Sequence, residues 1–265
     1  PKHTNWKKIS KFIINLRDKP ERLSHTLSQL DKVDLSNLVT VCYGEKPDLN
    51  LKNNLYKYIT EKAYDNIKNI QSTLLIPNLK SVAVTNSHKK IWEYLVNNNL
   101  KHAIIMEDDI EITDAFLLNK QLNYLLDLIN NVPNNIPKYV IFNGRYIDNG
   151  SDSSNIFNDN VYYHDEFNNI INYASYNSKA YPNFKYFPST LGTSIDICGS
   201  HFYYLNLEMA KILLNELRIT SYQLDVEISR LSKKQNIKDR CSFLNVETDS
   251  IIQSGKFESS VQPYI

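Results

Sequence analysis

The chain has 265 residues, 42% of them hydrophobic, with only six glycines and nine prolines. That is enough to bury the core of one large α/β domain or two small ones, and it excludes a fibrous or low-complexity protein. Thirty Lys and Arg against 29 Asp and Glu leave a formal charge of +1, which argues against a general nucleic-acid binder carrying a basic face.

The first apolar run, Lys11 to Leu16, reads as a strand. Pro20 then stands at a helix start, with Leu23, Leu27 and Leu30 spaced along one face. Leu38 to Tyr43 reads as a second strand stopped by Gly44, and 50–76 is a mixture of helix and loop. Leu79 to Asn97 predicts a helix that buries Val82, Ile91, Trp92 and Leu95. A buried strand over 102–106 follows and runs directly into Glu107, Asp108 and Asp109, with Glu111 just beyond.

Three successive carboxylates at a strand end repel one another unless a cation lies between them. Oxygen ligands suit hard ions such as Mn²⁺ or Mg²⁺, and ligands of open α/β sheets gather at the carboxyl ends of strands. The plainer alternative is that Asp108 and Asp109 cap the next helix.

That helix is expected near 114–130, followed by a strand over Tyr139–Phe142 that Asn143-Gly144 closes. Residues 145–192 show no sustained period and read as a long functional loop whose aromatics stack on sugars or pin the loop down. Phe202–Leu205 resumes strand structure; helices follow near 207–217 and 224–235, then a last strand over 237–244 and a surface tail over 246–265. Alternating strands and helices imply an α/β fold with a mostly parallel central sheet. Cys42, Cys198 and Cys241 form neither a zinc pattern nor a disulfide framework, which favours a reducing, cytoplasmic setting. No apolar run approaches the roughly 20 residues needed to span a bilayer. The chain opens without Met, and whether it is a piece of a longer protein stays open.

Taken together, Ile13–Arg22, Val41–Gly44, Ser87-His88, Met106–Asp109, Gly199–Tyr203 with Ala210, Asp225, and Gln253 with Ser259 resemble, in order, the motifs of glycosyltransferase family 25. The chain departs from that pattern in carrying Arg17 then Asp18 where Asp then Arg is usual, Tyr43 where an Asp precedes the Gly, and Ala83 at a common Gly. The resemblance implies a single domain over 1–265 with a GT-A-like, Rossmann-type nucleotide-sugar-binding fold. Its nucleotide half would span about 10–145 and its acceptor half about 146–265. It also implies a UDP-sugar donor, a divalent ion (Mn²⁺, with Mg²⁺ as the alternative) and inverting transfer of a hexose. Galactose is the first choice of sugar, glucose and N-acetylglucosamine the others, and the acceptor is a hydroxyl on a glycan or a collagen-like protein.

On that reading Asp109 is the first choice as metal ligand, with Glu107 and Asp108 ligating or orienting the ribose and sugar. Asn15, Arg17, Arg22, Tyr43, Gly44, Ser87 and His88 line the donor side. Arg17 and Arg22 are suited to the diphosphate; the alternative, favoured for Arg22, is a solvated helix face with an ion pair to Glu21 or Asp18. Asp225 is the candidate base with Glu227 its rival, and both also suit a helix N-terminus. Two other readings stand beside this one: a non-catalytic binding module, which would be expected to lose the acid cluster, and a sugar nucleotidyltransferase, which would want a Gly-rich loop that the sequence lacks.

Overall fold

The structure is a computed structural model that describes residues 9–44, 59–60, 79–131, 133–143, 145–147, 184–186, 196–232, 234–238, 240–246 and 248–257. Most of the expected helix-and-loop segment 50–76 and of the loop 145–192, together with Gly144 and Ser259, lies outside those residues.

The elements run β1 (Ser10–Asn15), α1 (Pro20–Asp31), β2 (Val39–Tyr43), α2 (Leu79–Asn97), β3 (His102–Glu107), β4 (Ile110–Ile112), α3 (Ala115–Asn131), β5 (Lys138–Phe142), β6 (Arg145–Ile147) and β7 (Phe184–Tyr186). They continue with β8 (Asp196–Cys198), β9 (Phe202–Asn206), α4 (Leu207–Glu216), α5 (Leu224–Ser232), α6 (Gln235–Lys238), β10 (Ser242–Val246) and β11 (Ile251–Gln253). Among the described residues, seven strands form one sheet in the order β2-β1-β3-β9-β5-β10-β7. β1 pairs in parallel with β2 and β3, and β5 in parallel with β10.

The strands alternate their side chains between two covered faces. Ile13, Ile104, Met106, Val140, Phe142, Phe202 and Tyr204 join Leu30, Leu122 and Leu125 in one core. Phe12, Ile105, Tyr139, Ile141, Tyr203 and Leu205 join Trp92, Leu95, Leu213 and Leu231 in the other. This is the two-residue strand period packed between helix layers. It explains why β5 and β9 are buried at every position.

The sheet is mixed but mostly parallel, as expected; the exceptions are β7, antiparallel to β10 at one edge, and β9 at the centre. β9 runs antiparallel to both β3 and β5, with Phe202 opposite Met106 and Asn206 opposite His102. A hydrophobic run does not encode its own direction. The reversal matters because it brings the start of β9 to the edge of the sheet where β3 ends. The Gly199–His201 turn therefore meets the acid cluster, and the Glu107 amide donates to the His201 carbonyl at 2.9 Å.

Smaller differences have local causes. Ile237 lies in α6 rather than a strand, so the last large-sheet strand begins at Ser242. The surface tail contains β11, which pairs antiparallel with β4. The cap of α3 is Asp114, whose Oδ1 accepts from the Leu117 amide at 2.9 Å, so Asp108 and Asp109 are not that helix's cap. No described helix is long and apolar enough to cross a membrane.

Candidate active site

The acid cluster sits in the turn between β3 and β4. β3 delivers Glu107, and the turn that follows buries Asp108 and Asp109. Ionised carboxylates so placed require positive charge and hydrogen bonds. Arg22, in the first part of α1 and only 4% exposed, supplies both. One guanidinium nitrogen lies 2.7 Å from Asp108 Oδ1 and 2.9 Å from Asp109 Oδ2. Arg22 is thus neither on a solvated helix face nor paired with Glu21. It is a resident counter-cation between two aspartates, so any diphosphate role would have to share it with them.

Two more side chains fix the turn. Asn15, at the end of β1, donates to Asp108 Oδ2 at 2.7 Å and to the Lys19 carbonyl at 3.0 Å. Gln253, at the end of β11, donates to Asp109 Oδ2 at 3.0 Å, while the Ser254 amide donates to the Asp109 carbonyl. Glu107 faces a different set of groups. His88 Nε2 lies 3.5 Å from Glu107 Oε1, an electrostatic contact longer than a hydrogen bond, and this buried nitrogen has no hydrogen-bond partner.

These surroundings separate the acids. Burial raises Glu107, but His88, His201 and Arg22 outweigh it and hold that carboxyl below its ordinary value. Burial raises Asp108 against the opposing pull of Arg22 and Asn15. Asp109 is pushed up to about 7, first by burial and then by the charge of Glu107. Asp225, in the first turn of α5, is raised by burial and by Glu107, and the Val226 and Gly199 amides oppose the shift. Those amides donate to its two oxygens at 2.9 and 3.3 Å. Gly199 has φ 110°, and a Cβ there would lie 3.2 Å from the His201 ring, so this turn requires glycine.

Glu227 is engaged elsewhere. Its Oε1 accepts from the amides of Ser221 at 2.6 Å and Tyr222 at 3.0 Å, which satisfies the backbone entering α5. Of the two acids on this helix, Asp225 is the one that senses Glu107.

The remaining donor-side candidates divide between surface and interior. Arg17 is exposed and stacks its guanidinium over the half-exposed Tyr43 ring, 4.5 Å from the centroid. Gly44 donates its amide to the Asn15 carbonyl at 2.9 Å, and a Cβ there would lie 3.2 Å from Ser87 Oγ. Ser87 itself is buried and its hydroxyl donates to the Ala83 carbonyl, so Gly44 and Ser87 form a packing contact between the end of β2 and α2. His88 is fully buried and turned toward Glu107.

A divalent ion fits the chemistry of this turn. Among the described residues no three His, Cys, Asp or Glu side chains form a ready-made metal cage. Mg²⁺-type sites, however, are commonly built from one or two carboxylates plus substrate phosphates and water. Asp109 Oδ1 is buried without a hydrogen-bond partner, and Glu107 keeps part of its carboxylate exposed. Both are hard oxygen donors.

The sequence singled out most of this cluster, but it named Gln253 only as part of a closing motif and not as a site residue, Trp92 only as a buried helix residue and Tyr203 only as part of a strand motif. The closing motif marks Gln253, but its contact with Asp109 spans 144 positions of chain, a separation that leaves no local pattern. A comparison with family models matches residues 8–228 to "Glycosyltransferase family 25 (LPS biosynthesis protein)". The comparison with curated proteins found no match.

Proposed function

Because this chain belongs to glycosyltransferase family 25, we propose that it transfers a hexose, galactose before glucose or N-acetylglucosamine, from a UDP-sugar to a hydroxyl acceptor with inversion. The acceptor is a glycan or a collagen-like protein, the ion is Mn²⁺ or Mg²⁺, and the whole chain acts as one GT-A-like domain. One observation carries this reading: the carboxylates of Glu107, Asp108, Asp109 and Asp225 gather where β3 ends and β9 begins, each in a different electrostatic setting.

Departure of UDP places negative charge on a diphosphate oxygen, and a bound divalent ion supplies Lewis-acid stabilisation of that charge. Asp109 through Oδ1, with Glu107 beside it, would hold the ion. Arg22 keeps Asp108 and Asp109 from repelling one another, and Asn15 orients Asp108 toward the ribose and sugar. The stacked Arg17 and Tyr43 offer a planar, cationic platform for the base and the diphosphate. Asp225, whose raised pKa makes it a better proton acceptor than an ordinary aspartate, takes the acceptor hydroxyl proton.

Calorimetric titration of UDP with and without Mn²⁺, on wild type and Asp109→Ala, tests this function, with product analysis after incubation with UDP-sugars. Manganese-dependent binding that disappears in the variant, with a glycosylated product, supports it. No UDP binding under any metal condition would overturn it in favour of a non-catalytic module.

A further inference from the structure

Behind Glu107 lies a chain of buried polar groups that the transfer reaction does not itself require. His88 and Trp92 are four residues apart on α2 and so share one face of the helix. Both meet Tyr203, the second residue of β9, and all three side chains are fully buried.

The direction of the hydrogen bonds follows from the donor inventory. An indole N–H gives a hydrogen and accepts none, so Trp92 Nε1 donates to the Tyr203 hydroxyl at 3.0 Å. That hydroxyl has one hydrogen of its own, and the acceptor it meets is His88 Nδ1 at 2.8 Å. Once Nδ1 is the acceptor, the hydrogen of the neutral ring stands on Nε2, the nitrogen that faces Glu107 Oε1 at 3.5 Å. The opposite tautomer would leave the Tyr203 hydrogen without its acceptor in the core, and a buried unmade hydrogen bond is costly.

We propose that Tyr203, anchored by Trp92, is a positioning residue that fixes His88 as the Nε2–H tautomer and thereby aims Glu107 into the donor site. The catalytic consequence rests on the transferase reading above, whereas the tautomer itself does not. The stack of Tyr139 on Tyr203, with centroids 4.9 Å apart, holds the phenol ring in the plane the chain needs.

The direct test is long-range proton–nitrogen correlation NMR on metal-free protein labelled with ¹⁵N-histidine. The six histidines keep the spectrum small, and His88→Asn assigns the peak. The expected result for wild type is an Nε2–H ring with a hydrogen-bonded Nδ1; an Nδ1–H ring overturns the proposal without any variant having to fold. In Tyr203→Phe the Nδ1 resonance should lose its hydrogen-bond shift. Turnover should fall about 10–100-fold and manganese-dependent UDP binding should weaken with it, as is usual when a group that orients a ligating side chain is lost. Unchanged turnover in that variant would also refute the positioning role. Trp92→Phe keeps the Tyr203 hydrogen and should retain the wild-type tautomer. If wild type shows the Nε2–H ring but transfers no sugar, the proposed function fails while the tautomer assignment stands; transfer with an Nδ1–H ring means the reverse.

Discussion

The side-chain amide of Gln253 donates to Oδ2 of Asp109 at 3.0 Å, which ties the last strand to the turn that carries the acids. The strand pairing of Gln253 with Ile110 sets this reach, and the Ser254 amide reinforces it by donating to the Asp109 carbonyl. Asp109 Oδ2 is therefore held by Gln253 and Arg22 while Oδ1 has no hydrogen-bond partner. Gln253→Ala should release the carboxylate to rotate and weaken manganese-dependent UDP binding about tenfold or more. Calorimetry with and without Mn²⁺ checks this. Equal loss of UDP affinity in both conditions would show that Gln253 serves the fold rather than the ion.

Arg22 should matter more for stability than any surface arginine. Arg22→Ala leaves two buried aspartates without their shared cation, and breaking a buried pair typically costs about 3–5 kcal/mol. Because a single guanidinium nitrogen makes both contacts, Arg22→Lys should recover part of that loss. Urea unfolding of the two variants decides the point. A change below about 1 kcal/mol for Arg22→Ala, the range of exposed pairs, would show that the bridge is not what holds the turn.

These contacts mark the limit of what the sequence discloses. The strands at Lys11, His102 and Tyr139 were legible because continuous apolar runs must be buried on both faces. The acids were legible because three carboxylates together demand a partner. The partner's identity was not legible, since Arg22 lies 87 positions from Asp109 and at a helix start looks like any solvated residue. The direction of β9 was equally hidden. Phe202–Leu205 has the same apolar character whichever way it runs, and only the register with Met106 reveals that it enters the sheet beside the acids.

The raised pKa of Asp109 predicts a specific pH dependence in metal-free protein. Its ordinary value is 3.8 and its folded value about 7, so between these the native state holds a proton that the unfolded chain has lost. Stability contributed by this group is full below the ordinary value and declines as pH rises toward the folded one. Asp109→Asn removes the titration. The stability of the variant relative to wild type should therefore climb from about pH 4 to about pH 7 and level off above that. Urea unfolding in chelator across this range measures the difference. A difference that stays constant with pH would mean that Asp109 titrates alike in both states.

The two acids of α5 should respond in opposite ways to the same change. Asp225→Asn removes a carboxylate that senses Glu107 and receives the Gly199 and Val226 amides. Transfer should drop about 10²–10⁴-fold, the usual contribution of a general base, while UDP affinity stays near wild type. Glu227→Gln keeps a carbonyl oxygen able to accept from Ser221 and Tyr222, so its turnover should change little. Glu227→Ala loses that acceptor and should cost stability of about 0.5–2 kcal/mol, as for a lost helix cap. Single-turnover transfer and urea unfolding on all three variants separate the roles. Full transfer by Asp225→Asn, or loss of transfer by a stably folded Glu227→Gln, would exchange the assignments.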